Sequence, residues 1–245
     1  MKIPSPAILT VLLLFVGFGC TSTKDAAMAP SSDMISGSAN KMVEAYAYDV
    51  NVGIPSRDFL FEDTLPDQGY GAYGYCLFTK RPDEFSRNRF IKFASAYLAV
   101  LEHTYAFESI PREELMPTYW LLKAEASEIV FENTVSAESL VDFYDYSRAK
   151  ILLRSIAKGD SEGPILAAWQ QTFEAGDDIG AALIFDLSTF SDEDMERAIQ
   201  IWTSRIVKDP SYWNNGFKLV KFREEFRNFL QRYGEQVLAV ITPGE

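Results

Sequence analysis

The chain has 245 residues, of which 47% are hydrophobic and 14% aromatic, and a formal net charge of −12. That is enough apolar material for one sizeable core. The acid excess argues against nucleic acid as a partner, because Lys and Arg are interleaved with acids, as in Lys221-Phe222-Arg223-Glu224-Glu225, and form no basic stripe. At the start, Lys2 precedes an apolar run from Ala7 to Gly19 broken only by Thr10, the pattern of a secretory signal. The run is too short for a membrane span, which needs about 20 apolar residues.

The run ends at Gly19-Cys20 and gives way at once to Thr21, Ser22 and Thr23. An ordinary signal peptidase would have only Ala27-Met28-Ala29 to use, far downstream and followed by Pro30, which lacks an N–H and fixes φ. Gly19-Cys20 resembles the lipobox of bacterial lipoproteins. Gly17 stands where that family prefers a larger aliphatic residue, and Phe18 where it prefers a small one. The resemblance covers about the first 20 residues. It implies cleavage before Cys20, a diacylglycerol on its thiol and often an acylated amine, so that palmitate-like chains anchor the protein stably. Thr21, rather than an aspartate, favours the outer membrane of a two-membrane host, facing the periplasm. Residues 1–19 are then the signal peptide, 20–40 the lipidated cysteine and a flexible tether with a reach of roughly 25 Å, and 41–245 a single globular domain. With Cys20 carrying lipid, Cys76 has no intramolecular partner and is expected to be a small buried apolar residue.

Within the body, Met42 to Pro66 is ambiguous: an extra strand at Val43 to Val50, or an ordered arm. Four short runs are apolar on both alternating faces and read as covered strands: Ala72–Phe78, Thr118–Leu122, Ile165–Trp169 and Ala181–Leu187. The last two, joined across Gly176-Asp177-Asp178, suit an antiparallel hairpin. Amphipathic helices come between. One starts at Pro82 with Phe90, Phe93, Tyr97 and Leu101 inward. A second is capped by Ser136 with Leu140, Phe143, Tyr144, Ile151 and Leu152 inward. A third follows Ser191 and Asp194 with Met195, Ala198, Ile199, Trp202 and Ile206 as its stripe. The last carries Phe222, Phe226, Phe229, Leu230, Tyr233 and Val237. The expected fold is α/β or layered α+β: a mixed, mostly parallel sheet of about four to five strands flanked by helices, with a C-terminal amphipathic helix.

Motifs give little chemistry. Gly159-Asp160-Ser161-Glu162-Gly163 matches G-x-S-x-G, but a helix precedes and a strand follows, the reverse of a nucleophile elbow, and the single histidine, His103, lies upstream. Ser147-Arg148-Ala149-Lys150 matches the S-x-x-K of penicillin-binding proteins, but the serine falls inside a predicted helix, and Lys-Thr-Gly and Ser-Asp-Asn are both missing. The glycine-rich tract Gly69-Tyr70-Gly71-Ala72-Tyr73-Gly74-Tyr75 runs into a strand, so it reads as a tight turn rather than a phosphate cradle. Tyr70, Tyr73 and Tyr75 are a candidate aromatic binding surface. One histidine and one body cysteine make no metal centre, and no cofactor is expected.

In open α/β sheets ligands gather beyond the carboxyl ends of the strands. Those ends would carry Lys80, Arg81, Lys123, Gln170, Gln171 and Asp186, with Asp145 and Arg148 nearby on the second helix. Lys80, Arg81, Lys123, Asp145, Arg148 and Asp186 are therefore the candidate ligand-binding set. The leading expectation is a lipid-anchored envelope lipoprotein with a non-catalytic partner- or ligand-binding domain, whose partners are the membrane and an envelope protein or the cell wall. Two alternatives are kept: a carboxylate-dependent peptidoglycan hydrolase, and a small-anion sensor or carrier.

Overall fold

A computed structural model of the chain describes residues 53–131, 135–156, 158–159, 161, 163–172, 181–213, 217, 223–224, 226–234 and 237–241. Cys20, the tether, the Val43–Val50 segment and the Gly176-Asp177-Asp178 loop lie outside them. Each of the four apolar runs is a strand, and the sequence reason is the one anticipated. Residues alternate across a strand, and both parities are apolar, so both faces are covered. They are β2 (Tyr73–Phe78), β4 (Leu115–Leu122), β5 (Pro164–Trp169) and β6 (Ala182–Asp186), and each is buried along nearly its whole length. β1 (Ile54–Phe61), β3 (Glu102–His103) and β7 (Leu238–Ile241) complete a seven-stranded sheet in the order β3-β1-β4-β2-β5-β6-β7. β3, β1, β4 and β2 run parallel to their neighbours; β5, β6 and β7 continue antiparallel. The fold is α/β and layered, a mixed sheet flanked by helices.

The registers assign side chains to two faces. Cys76, Phe78, Thr118, Trp120 and Phe185 share one, here face A. The helix α1 (Arg87–Val100) packs there, with Phe90 and Phe93 against Phe78 and Tyr97 against Trp120. α3 (Ala137–Asp142) follows α2 (Ser127–Phe131) and accepts the Trp120 indole N–H at Leu140 O, 3.0 Å. α5 (Met195–Ile201) runs on as a π-helical turn, Trp202–Val207, and Trp202 donates to Thr118 Oγ1 at 3.0 Å. α6 (Arg227–Tyr233) adds Phe229 against Phe185. Gly74 in β2 admits this packing, since a Cβ there would meet Thr118 Oγ1 at 3.0 Å and Trp202 at 3.2 Å. Asp58, Tyr75, Tyr119, Ala167 and Asp186 point to the opposite face, B. α4 (Tyr146–Ser155) lies on that side, where Arg148 in its first turn feels Tyr75.

Three expectations are corrected. The first helix starts at Arg87, not Pro82, because Asp83 and Ser86 exchange bonds in a turn: Ser86 N–H to Asp83 Oδ1 at 2.8 Å and Asp83 N–H to Ser86 Oγ at 3.0 Å. The second helix is two. Ser136 does cap it, in a reciprocal box with Ser139, but the chain straightens at Tyr144 to bridge Leu122 and restarts as α4. That break resets the helical phase, and Ile151 faces solvent at 52% exposure instead of the core. The final helix ends at Gly234, whose φ of +94° an L residue rarely adopts, so Val237 lies beyond it, just before β7.

Candidate functional site

The carboxyl ends of β1, β4 and β2 and of the antiparallel-flanked β6 emerge on one rim of the sheet. The candidate residues gather there in two groups. β5 runs the other way, so Gln170, expected on this rim, lies at the opposite one and donates to Trp213 O.

The first group surrounds the start of α4. The straight segment before the helix pairs with the end of β4, with Lys123 N–H to Phe143 O at 3.0 Å and Asp145 N–H to Leu121 O at 3.1 Å. Asp145, 4% exposed, is the N-cap: its Oδ1 accepts from the N–H groups of Ser147 and Arg148, both at 3.0 Å. Arg148 reaches back to donate from Nη1 to Phe61 O at 2.8 Å, and its burial lowers its proton affinity. Lys123 Nζ pairs with Glu125 at 3.4 Å. The Arg81 guanidinium sits 5.7 Å above the Tyr146 ring. Lys80 is exposed on the adjoining loop. These are residues that the sequence reading set near one another, and Asp145 among them is the cap of the helix that carries Arg148. The sequence reading misplaced Ser147, which is the second residue of α4 rather than mid-helix; Ser147 and Lys150 are both exposed.

The second group was missed as a group. Asp186 closes β6, and Lys158 Nζ donates to its Oδ2 at 3.2 Å. Its Oδ1 accepts from Ser188 N–H at 3.0 Å, from Ser161 Oγ at 3.2 Å and from Ser188 Oγ. Ser161 and Ser188 hydroxyls lie 2.6 Å apart, and Gly163 N–H donates to Ser188 Oγ at 3.2 Å. Ser161 and Gly163 of the G-x-S-x-G stretch, with Lys158 before them, therefore clasp the end of β6. α4 precedes that stretch and β5 follows, as the sequence order required. No signal in the chain announces this meeting, because Ser161 and Ser188 are joined only by tertiary structure.

The tyrosine candidates are corrected outright. Tyr70, Tyr73 and Tyr75 are 8%, 3% and 1% exposed, so they are interior and not a surface. Tyr73 Oη accepts from Tyr70 N–H at 3.2 Å, and Tyr75 packs on face B between Tyr119 and Trp169, with ring centroids 5.6 and 5.4 Å away. Next to them Asp58, paired in register with Tyr119, has its carboxyl pushed up to about 6 by burial. His103 Nε2 lies 3.7 Å from Asp58 Oδ1, and burial, with Arg57 beside it, lowers its proton affinity. Near neutral pH these shifts leave the carboxylate charged and the imidazole neutral. Cys76 is free and fully buried, its thiol pushed well up and so kept unreactive.

Comparison of the chain with protein families, with curated proteins and with solved structures finds no match. Among the described residues no helix is long and apolar enough to cross a membrane, and no three His, Cys, Asp or Glu side chains converge as metal ligands.

Proposed function

We propose that the chain is a cell-envelope lipoprotein, held by lipid on Cys20, whose body is a non-catalytic partner- or ligand-binding domain. The anchor rests on the apolar run ending at Gly19-Cys20 and on the polar stretch after it. In a two-membrane host its place is the outer membrane, facing the periplasm. The observation that favours binding over catalysis is the use made of the strand-end rim. Asp145 accepts two backbone N–H groups, Arg148 holds a backbone carbonyl, and Asp186 takes bonds from Lys158, Ser161 and Ser188. Groups so committed stiffen the rim, and each would have to break framework bonds to move a proton. The same commitments weigh against a small-anion carrier. Cys20→Ser is expected to abolish incorporation of labelled fatty acid and to release the protein from membranes; label that persists would refute the anchor. Crosslinking in the native envelope, followed by identification of what is captured, tests the binding role.

A second reading, a carboxylate-dependent hydrolase acting on peptidoglycan, draws on Asp58. A carboxyl pushed up to about 6 is in the range of a general acid. Release of fragments from purified peptidoglycan that stops in Asp58→Asn would establish it in place of the binding role.

A further inference from the structure

The outer face of α4 is cationic in a chain whose acids outnumber its bases, 35 to 23. Between Tyr146 and Ser155 the helix has Arg148, Lys150 and Arg154 and no acid. It packs on β2 and β4 and buries Ala149, Leu152 and Leu153. Ser147, Lys150, Ile151 and Arg154, spaced three or four residues apart, share the opposite face, and all four are exposed. Arg81 is also exposed and extends the patch from the loop after β2, its guanidinium over the Tyr146 ring in the first turn. α1 likewise carries only cations, but each finds an acid: Arg87 lies 2.8 Å from Asp142, Arg89 3.8 Å from Asp192 and Lys92 3.8 Å from Glu193. Among the described residues Arg81, Lys150 and Arg154 pair with no acid. Lys150 and Arg154, one turn apart, repel each other, an arrangement that weakens a helix left in water.

The partner that fits this face is anionic and offers an apolar layer. Anionic groups relieve the repulsion between Lys150 and Arg154. Ile151, 52% exposed beside them, adds an apolar contact that a lipid boundary uses and a nucleic-acid backbone does not. Neighbouring acids are mostly committed: Asp142 pairs with Arg87, Asp145 is the buried cap, and Asp83 is bonded to Ser86, which leaves Glu84 as the opposing charge on the Arg81 loop. More distant acids are screened beyond about 10 Å at ordinary ionic strength. We propose that the outer face of α4, with Arg81, lies against the headgroups of an anionic phospholipid bilayer, its cations on the phosphates and Ile151 at the acyl boundary. This names a partner for the body and rests on the envelope reading, in which lipid on Cys20 holds the body near a bilayer; α4 then fixes which side faces it.

The test places an indole on the face. Trp120, Trp169, Trp202 and Trp213, the four tryptophans of the chain, are all buried, so Ile151→Trp supplies one exposed reporter. The full chain carrying it is mixed with excess vesicles of brominated phosphatidylcholine, with or without phosphatidylglycerol. Fluorescence is expected to be quenched in the anionic vesicles and not in the neutral ones, and the quenching to fade at about 1 M salt. Adding Lys150→Gln or Arg154→Gln is expected to lower the docking constant read from the quenching about fivefold in each case. Both sites are exposed, so these variants keep the Tm of the parent. The proposal is overturned if anionic vesicles leave the indole unquenched, if neutral vesicles quench it equally, or if neither glutamine variant weakens docking. It is also overturned if Tyr105→Trp, on the exposed segment after the edge strand β3, is quenched as strongly, or if duplex DNA at equal phosphate concentration relieves the quenching, which would mark a nucleic-acid face. Failure of the anchor is read separately, from fatty-acid labelling of Cys20→Ser, so either reading can fall without the other.

Discussion

Around Trp120, on face A, aromatic rings are packed and their polar tips are spoken for. Phe78, Phe93, Tyr97 and Tyr144 surround the indole, whose N–H reaches Leu140 O at 3.0 Å. Tyr144 Oη donates to Cys76 O at 2.7 Å and accepts from Phe78 N–H at 3.2 Å, tying the α3–α4 break to β2. Around Tyr75, on face B, the same residue types are as deeply buried, but Tyr119 and Trp169 find no partner for their donors among the described residues. Equal burial with unequal satisfaction separates two kinds of aromatic cluster. One completes itself and supports the fold. The other carries a cost of about 1–3 kcal/mol for each unpaired donor.

The comparison can be broken most forcefully at its stable side. Trp120→Ala removes a ring that touches four others and frees Leu140 O, so it is expected to cost about 3–5 kcal/mol of unfolding free energy in denaturant titrations. A loss below about 1 kcal/mol would mean that face A is not the principal core. A smaller effect, of opposite sign, sharpens the other side. The Asp58 carboxyl rises from an ordinary 3.8 to about 6 in the fold, so the folded chain holds that proton more tightly than the unfolded one. Its contribution to stability is therefore fully present below about pH 4 and lost as pH rises through 6. Asp58→Asn keeps an acceptor for Phe59 N–H, bonded at 2.8 Å, and escapes that loss. It is expected to be more stable than the parent by about 1–2 kcal/mol at pH 8, after allowing for partial solvent contact, and to lose the advantage near pH 4. His103 acts against this trend in the parent. Its lowered proton affinity removes stability as pH falls below its ordinary 6.5, so the cleanest readout is the difference between parent and variant across pH.

The layered architecture was legible because burial on both faces leaves an unmistakable pattern. Runs such as Leu-Ile-Phe at 183–185 admit few other places in a soluble fold. β1 was not legible. Its Pro55, Ser56, Arg57 and Asp58 hide the strand pattern, and its place beside β4 comes from tertiary pairing along its full length. β7 was lost in the helix before it, which Gly234 and its positive φ end four residues before Leu238. The split second helix shows local propensity yielding to a sheet contact: Tyr144 leaves the helical path to meet Leu122. The candidate rim was half readable. Strand ends could be located, so Lys123, Arg148 and Arg81 were placed near one another, but the partners that occupy them could not be seen. The tyrosines were recognised as unusual and set on the wrong side of the surface, because a glycine-rich tract resembles an exposed loop until the strand after it is found in the middle of a sheet.

The contrast between the faces comes down to one pair of substitutions, measured as unfolding free energies of the purified protein without added ligand. Tyr144→Phe deletes two made hydrogen bonds and is expected to lose about 1–3 kcal/mol, whereas Tyr119→Phe deletes a hydroxyl with no partner among the described residues and is expected to lose nothing or to gain up to about 1 kcal/mol. Equal losses in the two variants would show that the Tyr119 hydroxyl is bonded within the protein after all, and the distinction between a completed face and an incomplete one would not stand.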